Sequence, residues 1–222
     1  MKGRPVSRLD DTIENLYIAF EDVRKPLKID ACPCCWSDTE TRLLLNGRLR
    51  EAPMREIRVF ATSALSTVGS VEDYLYFLPR ILHLSVTETG EMPDFEITGQ
   101  AIGLTEPQEW PCKRRQALDE YLVAVVHHSL APGRQFDLDS WLCAISKMGL
   151  DVRPYLHLVE KSTDAVLEYF NLNASGLPER RLTDPFWKLP SAGHDDIVDW
   201  FYSPRIRKVL FDAYGFQFPI ES

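Results

Sequence analysis

Apolar residues recur at three- and four-residue spacing along most of this 222-residue chain, while two-residue alternation is scarce. That period lets a helix bury one stripe and leaves a sheet no consistent face, so it restricts the chain to an all-α fold. Ile13, Leu16, Tyr17 and Phe20 fall on one helical face after Asp10 or Asp11 as a cap. Ser37 with Glu40 reads as a capping box for a helix over Asp38 to Leu45, stopped by Asn46-Gly47, and Ser70 with Asp73 opens another. A helix after Pro53 is expected to run toward Gly69. Pro79 lies inside the stripe Val71, Tyr74, Leu75, Leu78, Ile81 and Leu82, where a proline predicts a kink or a break into two pieces.

Residues 87 to 103 hold three glycines, a proline and four acids, and they predict the longest loop. The stretch from Glu109 to Leu130 is apolar nearly all round and reads as a central helix. Further on, Asp137 or Asp139 caps a helix that ends at Gly149. Asp151 begins the next, with a break near Lys161, and Ser191 and Ser203-Pro204 open the last two. Nine or ten helices on short links, without a repeat period, predict an irregular multi-helix bundle in one domain over residues 1–222. Stacked helical pairs are the alternative.

The formal charge of −8 is concentrated in one stretch. From Ala61 to Trp110, Arg80 is the sole base against Glu72, Asp73, Glu88, Glu91, Asp94, Glu96, Glu106 and Glu109, a balance of −7. Phosphate backbones are bound by clustered Lys and Arg, so this composition excludes a general nucleic-acid binder. A basic protein partner fits it, with Glu88, Glu91, Asp94 and Glu96 as candidate partner-binding residues; solvation of loops and helix starts is the plainer reading. Met1 to Arg4 is basic, but polar residues follow from Ser7 to Asp11, and the longest apolar run, Tyr121 to Val126, is too short to span a bilayer. The expectation is a soluble, cytoplasmic protein outside the membrane. Its five cysteines, an odd number, do not form a complete disulfide framework there.

Cys32-Pro33-Cys34-Cys35-Trp36 gathers three thiols in four positions. Cys32, Cys34 and Cys35 are candidate ligands for a metal such as zinc, which wants four sulfur or imidazole donors, and no fourth is marked out by spacing. Small buried hydrophobes beside Trp36 are the plainer account. Cys112, followed by Lys113-Arg114-Arg115, would have an activated thiol if a helix begins at Trp110 or Pro111. A start at Thr105 with Gln108 would weaken that. His127 and His128 diverge by about 100° on a helix and cannot share a site. His194-Asp195-Asp196 fits the first turn of a helix better than a metal pair. The chain has no HExxH, no GxSxG and no phosphate-cradling glycine loop.

Cys32-Pro33-Cys34-Cys35, Asn46-Gly47-Arg48-Leu49-Arg50 and the run Ser70 to Leu82 with Phe77-Leu78-Pro79-Arg80 together resemble a family of uncharacterised bacterial proteins. Those proteins carry a C-x-C-C cluster, a PLR-x-L segment and a D-x-x-x-F-L-P-R-x-L-E-L segment. The likeness covers residues 30 to 84, departing at Arg48, where the family has proline, and at His83, where it has an acid. It implies a bacterial source and brings no activity with it. The reading of the whole is a protein-binding module, most concretely an immunity-type neutraliser of a basic toxin. The alternative is a metal- or thiol-dependent enzyme centred on Cys32, Cys34 and Cys35 or on Cys112.

Overall fold

A computed structural model of the protein describes residues 8–32, 36–88, 90–187 and 191–215. Among them are eleven α-helices, three short 3-10 turns and no strand, only two isolated bridges. The all-α architecture follows from the apolar spacing. The chain divides into two compact units, Met1–Ala124 and Val125–Ser222, with the boundary inside one helix.

The first unit holds α1 (Leu9–Ala19), α2 (Asp38–Leu45), α3 (Met54–Ser63), α4 (Val71–Thr87), α5 (Phe95–Gly103) and most of α6 (Cys112–His128). Both capping boxes form. Ser37 Oγ accepts from the Glu40 N–H while the Ser37 N–H donates to Glu40, and Ser70 and Asp73 repeat the exchange. The core centres on Phe60 of α3, whose ring lies 4.9 Å from Phe77 and 6.5 Å from Tyr74 of α4 and 6.2 Å from Trp36. Fully burying a side chain of this size contributes about 1.5–3 kcal/mol, so α3 and α4 hold each other by these rings. Tyr121 of α6, fully buried, donates its hydroxyl to Leu82 O at 2.8 Å.

Local expectations in this unit are corrected. α1 starts at Leu9 after Arg8, so Asp10 and Asp11 lie in its first turn rather than capping it. Pro79 does not split α4, which runs as one helix; burial of Phe77, Leu78, Pro79, Ile81 and Leu82 outweighs the hydrogen bond that the ring forgoes. The expected loop contains α5, because Thr98, Ala101 and Ile102 share a buried face that offsets the helix cost of Gly99. Helix α3 ends at Ser63, and residues 64–69 instead turn back: Cys32 N–H donates to Thr67 O and Gly69 N–H to Asp30 O at 2.8 Å.

The second unit holds α7 (Gln135–Lys147), α8 (Arg153–Val159), α9 (Thr163–Asn173), α10 (Ala192–Phe201) and α11 (Pro204–Tyr214). α7 packs on α9 and α10, and α10 packs also on α8. Tyr169 of α9 lies against Phe201 of α10 at 5.2 Å. Neither Asp137 nor Asp139 is the cap, since α7 begins at Gln135 after Arg134, with Asp137 in its first turn. Asp139 has another role. Its buried carboxylate accepts from the Tyr169 hydroxyl at 2.8 Å and from the Trp187 indole N–H at 3.1 Å. Asn173 is fully buried and accepts from the Thr183 N–H at 2.9 Å, fixing the segment that leads to Trp187.

Candidate functional site

The acidic stretch occupies the connection between α4 and α5. Glu88 caps the end of α4 through its N–H to Leu84 O, a tight turn follows, and Asp94 precedes α5. Met92, buried between them, anchors the connection. Glu88, Glu91 and Asp94 are all exposed. Arg58 of α3 reaches Glu91 at 3.3 Å, with side-chain exposures of 43% and 58%; pairs this open contribute about 0–1 kcal/mol. Glu88, Asp94, Glu106 and Glu109 are exposed and have no ion-pair partner among the described residues. Arg80, the one base of the stretch, turns away to donate to Ala52 O at 3.2 Å. Glu96 departs from the expected set: at 2% exposure it is buried in the first turn of α5 and cannot meet a partner on the surface.

Of the cysteine cluster, Cys34 and Cys35 lie outside the described residues. Cys32 is exposed, with its N–H on Thr67 O and its carbonyl accepting from the Trp36 N–H. Trp36 itself is buried and donates to Thr41 Oγ1 at 2.7 Å, which seats the start of α2. Among the described residues no three His, Cys, Asp or Glu side chains converge as metal ligands. Cys112 is exposed at the start of α6, where the Arg115 N–H returns to Pro111 O. Two of the cations expected to activate it are engaged elsewhere, Lys113 with Glu21 at 3.1 Å and Arg114 with Asp22 at 2.9 Å. His127 and His128 are exposed in the last turn of α6, as a pair at a helix C-terminus should be, and His128 meets Arg134.

A second polar cluster joins α1, α4 and the turn at Leu49–Glu51. Arg50 grips Glu14 with bonds of 2.5 and 2.7 Å and lies 3.9 Å over the Tyr17 ring. That bond from Arg50 holds the Glu14 carboxyl below its usual range, and burial raises the Tyr17 phenol. Tyr17 meets His83 Nδ1 at 3.2 Å. His83 is held below its ordinary value, first by burial and then by Arg80 and Arg50.

The second unit contains an open cleft of 510 Å³ at the C-terminal end of α7 and the N-terminal end of α10. Ser146 and Ser191 face each other there with hydroxyls 3.0 Å apart, and Ser191 also caps α10 through the His194 N–H. Lys147, Asp196, Leu150 and Phe186 line it. His194 is not one of the lining residues; it is buried against Trp187 and bonded to Asp195 at 3.0 Å. The sequence marks these residues only as ordinary helix ends. Their convergence depends on α7 meeting α10, with Ser146 and Ser191 45 residues apart in the chain, a contact no local pattern carries.

No described helix is long and apolar enough to cross a membrane. Comparison with family models, curated proteins and solved structures returns no match.

Proposed function

We propose that this protein works by binding a basic protein through the carboxylates of the α4–α5 connection, most concretely as an immunity-type neutraliser of a basic toxin. The observation that carries this is the set Glu88, Glu91 and Asp94: three exposed carboxylates within seven residues, met among the described residues by the single, solvent-open cation Arg58. Left unneutralised, such a group projects a negative field that speeds and orients the approach of a positive surface. Met92 is buried beside Glu91, and the Glu88 N–H is bonded to Leu84 O, which ties both carboxylate-bearing residues to chain anchored in the unit.

The test is affinity capture from an extract of the source cells with wild type and with Glu88→Gln, Glu91→Gln and Asp94→Asn combined. Wild type should retain a basic protein at low salt and release it as salt rises, and the variant should retain much less. Equal capture by both forms at all salt levels contradicts the reading.

A further inference from the structure

In the first unit a groove of 640 Å³ lies between α2 and the loop that follows α1. Its apolar lining comes from the run Leu43-Leu44-Leu45. Neighbouring positions on a helix diverge by about 100°, so three consecutive leucines cannot share one face. The core takes Leu44, at 2% exposure. Leu43, 44% exposed, and half-buried Leu45 are left to line the groove with Thr39 and Thr41. Leu27 lines it from the loop with 98% of its surface in solvent. Side chains this open gain from any apolar surface that covers them.

The charge of the groove is positive, in contrast to the chain as a whole. Arg42 lines it and gives one N–H to Thr39 Oγ1 at 3.2 Å; no carboxylate pairs with it among the described residues. Lys25 donates to Gly47 O at 2.8 Å, next to the lining residue Asn46, and likewise has no carboxylate partner there. No Asp or Glu lines the groove among the described residues. Of the acids flanking Thr39, Glu40 is turned back to the Ser37 N–H and hydroxyl at 2.7 and 2.8 Å, and Asp38 is exposed without lining the groove. The net charge of −8 does not cancel this, because exposed charges are screened over about 8 Å at physiological ionic strength.

Apolar walls with a cation and no anion match a ligand that is apolar and acidic at once. A fatty-acid anion and a peptide segment both have that chemistry. Small-molecule sites enclose about 70–90% of their ligand, which a groove edged by a leucine almost wholly in solvent does not do. A docked peptide covers such a surface with its side chains and needs no enclosure. We propose that this groove docks an acidic, apolar peptide segment of a partner protein, its apolar side chains against Leu27, Leu43 and Leu45 and a carboxylate at Arg42. The groove shares no residue with the acidic connection, so each reading can fail alone.

Selection of displayed random dodecapeptides on the full chain, followed by fluorescence anisotropy of the most enriched acidic peptide, tests it. The enriched sequences should combine acidic with large apolar side chains. Basic peptides retained in the same selection belong to the acidic connection and bear on that reading alone. Arg42→Gln and Leu27→Ser should each weaken the lead peptide about tenfold, the scale of one charged hydrogen bond and of one covered leucine. Arg42→Glu should reject the lead peptide and bind its counterpart with lysine in place of each acid. Decanoate, the same chemistry without a backbone, should bind about tenfold more weakly than the peptide or worse. Both positions are exposed, so helical circular dichroism should be unchanged; a variant that loses it is replaced by Arg42→Met or Leu27→Thr. A selection without acidic, apolar sequences, variants that bind the lead peptide as wild type does, or decanoate as tight as the peptide would each overturn the proposal.

Discussion

Gly193 of α10 lies so close to Ser146 of α7 that a Cβ built on it would stand 2.4 Å from the serine Oγ and 2.5 Å from its Cβ. Only a residue without a side chain lets the two helices meet there. Gly193→Ala should therefore destabilise the protein by about 1–3 kcal/mol, the cost of overpacking a tight contact. Ser146→Gly in the same chain should recover part of the loss, because the two positions are directly coupled. Urea denaturation of the single and double variants measures both; additive losses would place the strain elsewhere.

The pairing of Tyr17 with His83 predicts an acid-sensitive stability. His83 titrates below its ordinary 6.5 in the folded protein, where burial disfavours the imidazolium and Arg80 and Arg50 repel it, against a weaker pull from Glu14 and Asp10. The unfolded chain thus binds this proton more readily. Its contribution to stability is complete above pH 6.5 and is lost as pH falls from there through the lowered folded value. Denaturation midpoints at about pH 7.5 and 5.5, bracketing the free value, should differ more for wild type than for His83→Gln. Equal shifts in the two proteins would contradict the assignment.

Much of the fold is legible because the signals that set helix ends are local. The boxes Ser37–Glu40 and Ser70–Asp73 need only four residues each, and both form as expected. α5 is hidden because Gly99 and Gly103 lower its helix propensity, and its stability comes from burial against other elements. Asp139 is misread for a related reason: an aspartate near a helix start looks like a cap, whereas its partners Tyr169 and Trp187 lie 30 and 48 residues away. The acidic connection is visible as composition, but the burial of Glu96 is not, since it depends on which face of an unforeseen helix it occupies.

Removing a cap tests the local part of this account. Ser70→Ala should cost about 0.5–2 kcal/mol, since it strips the acceptor from the Asp73 N–H at 3.2 Å. Because α4 carries Phe77, Leu78, Ile81 and Leu82, the loss should appear in global unfolding. A change confined to local fraying, with an unaltered denaturation midpoint, would show that α4 is fixed by packing alone.

Metal analysis bears on the cysteine cluster. Protein purified without chelator should contain no stoichiometric zinc, and replacement of Cys32, Cys34 and Cys35 by Ser should leave its helicity intact; Cys32 is exposed, so a serine there empties no part of the core. About one zinc per chain, lost on that replacement, would establish a metal site there instead.

The most direct test of the central claim is the association rate of the captured basic partner, measured against salt. Exposed charges are screened over about 8 Å at physiological ionic strength, so steering by Glu88, Glu91 and Asp94 should give wild type a rate that falls steeply with salt. The triple variant Glu88→Gln, Glu91→Gln, Asp94→Asn should associate slowly with a shallow dependence, while dissociation changes little. Glu96→Gln, altered at a buried position, should keep the wild-type salt slope. Identical rates and slopes for wild type and the triple variant would contradict the claim that this connection is the docking surface.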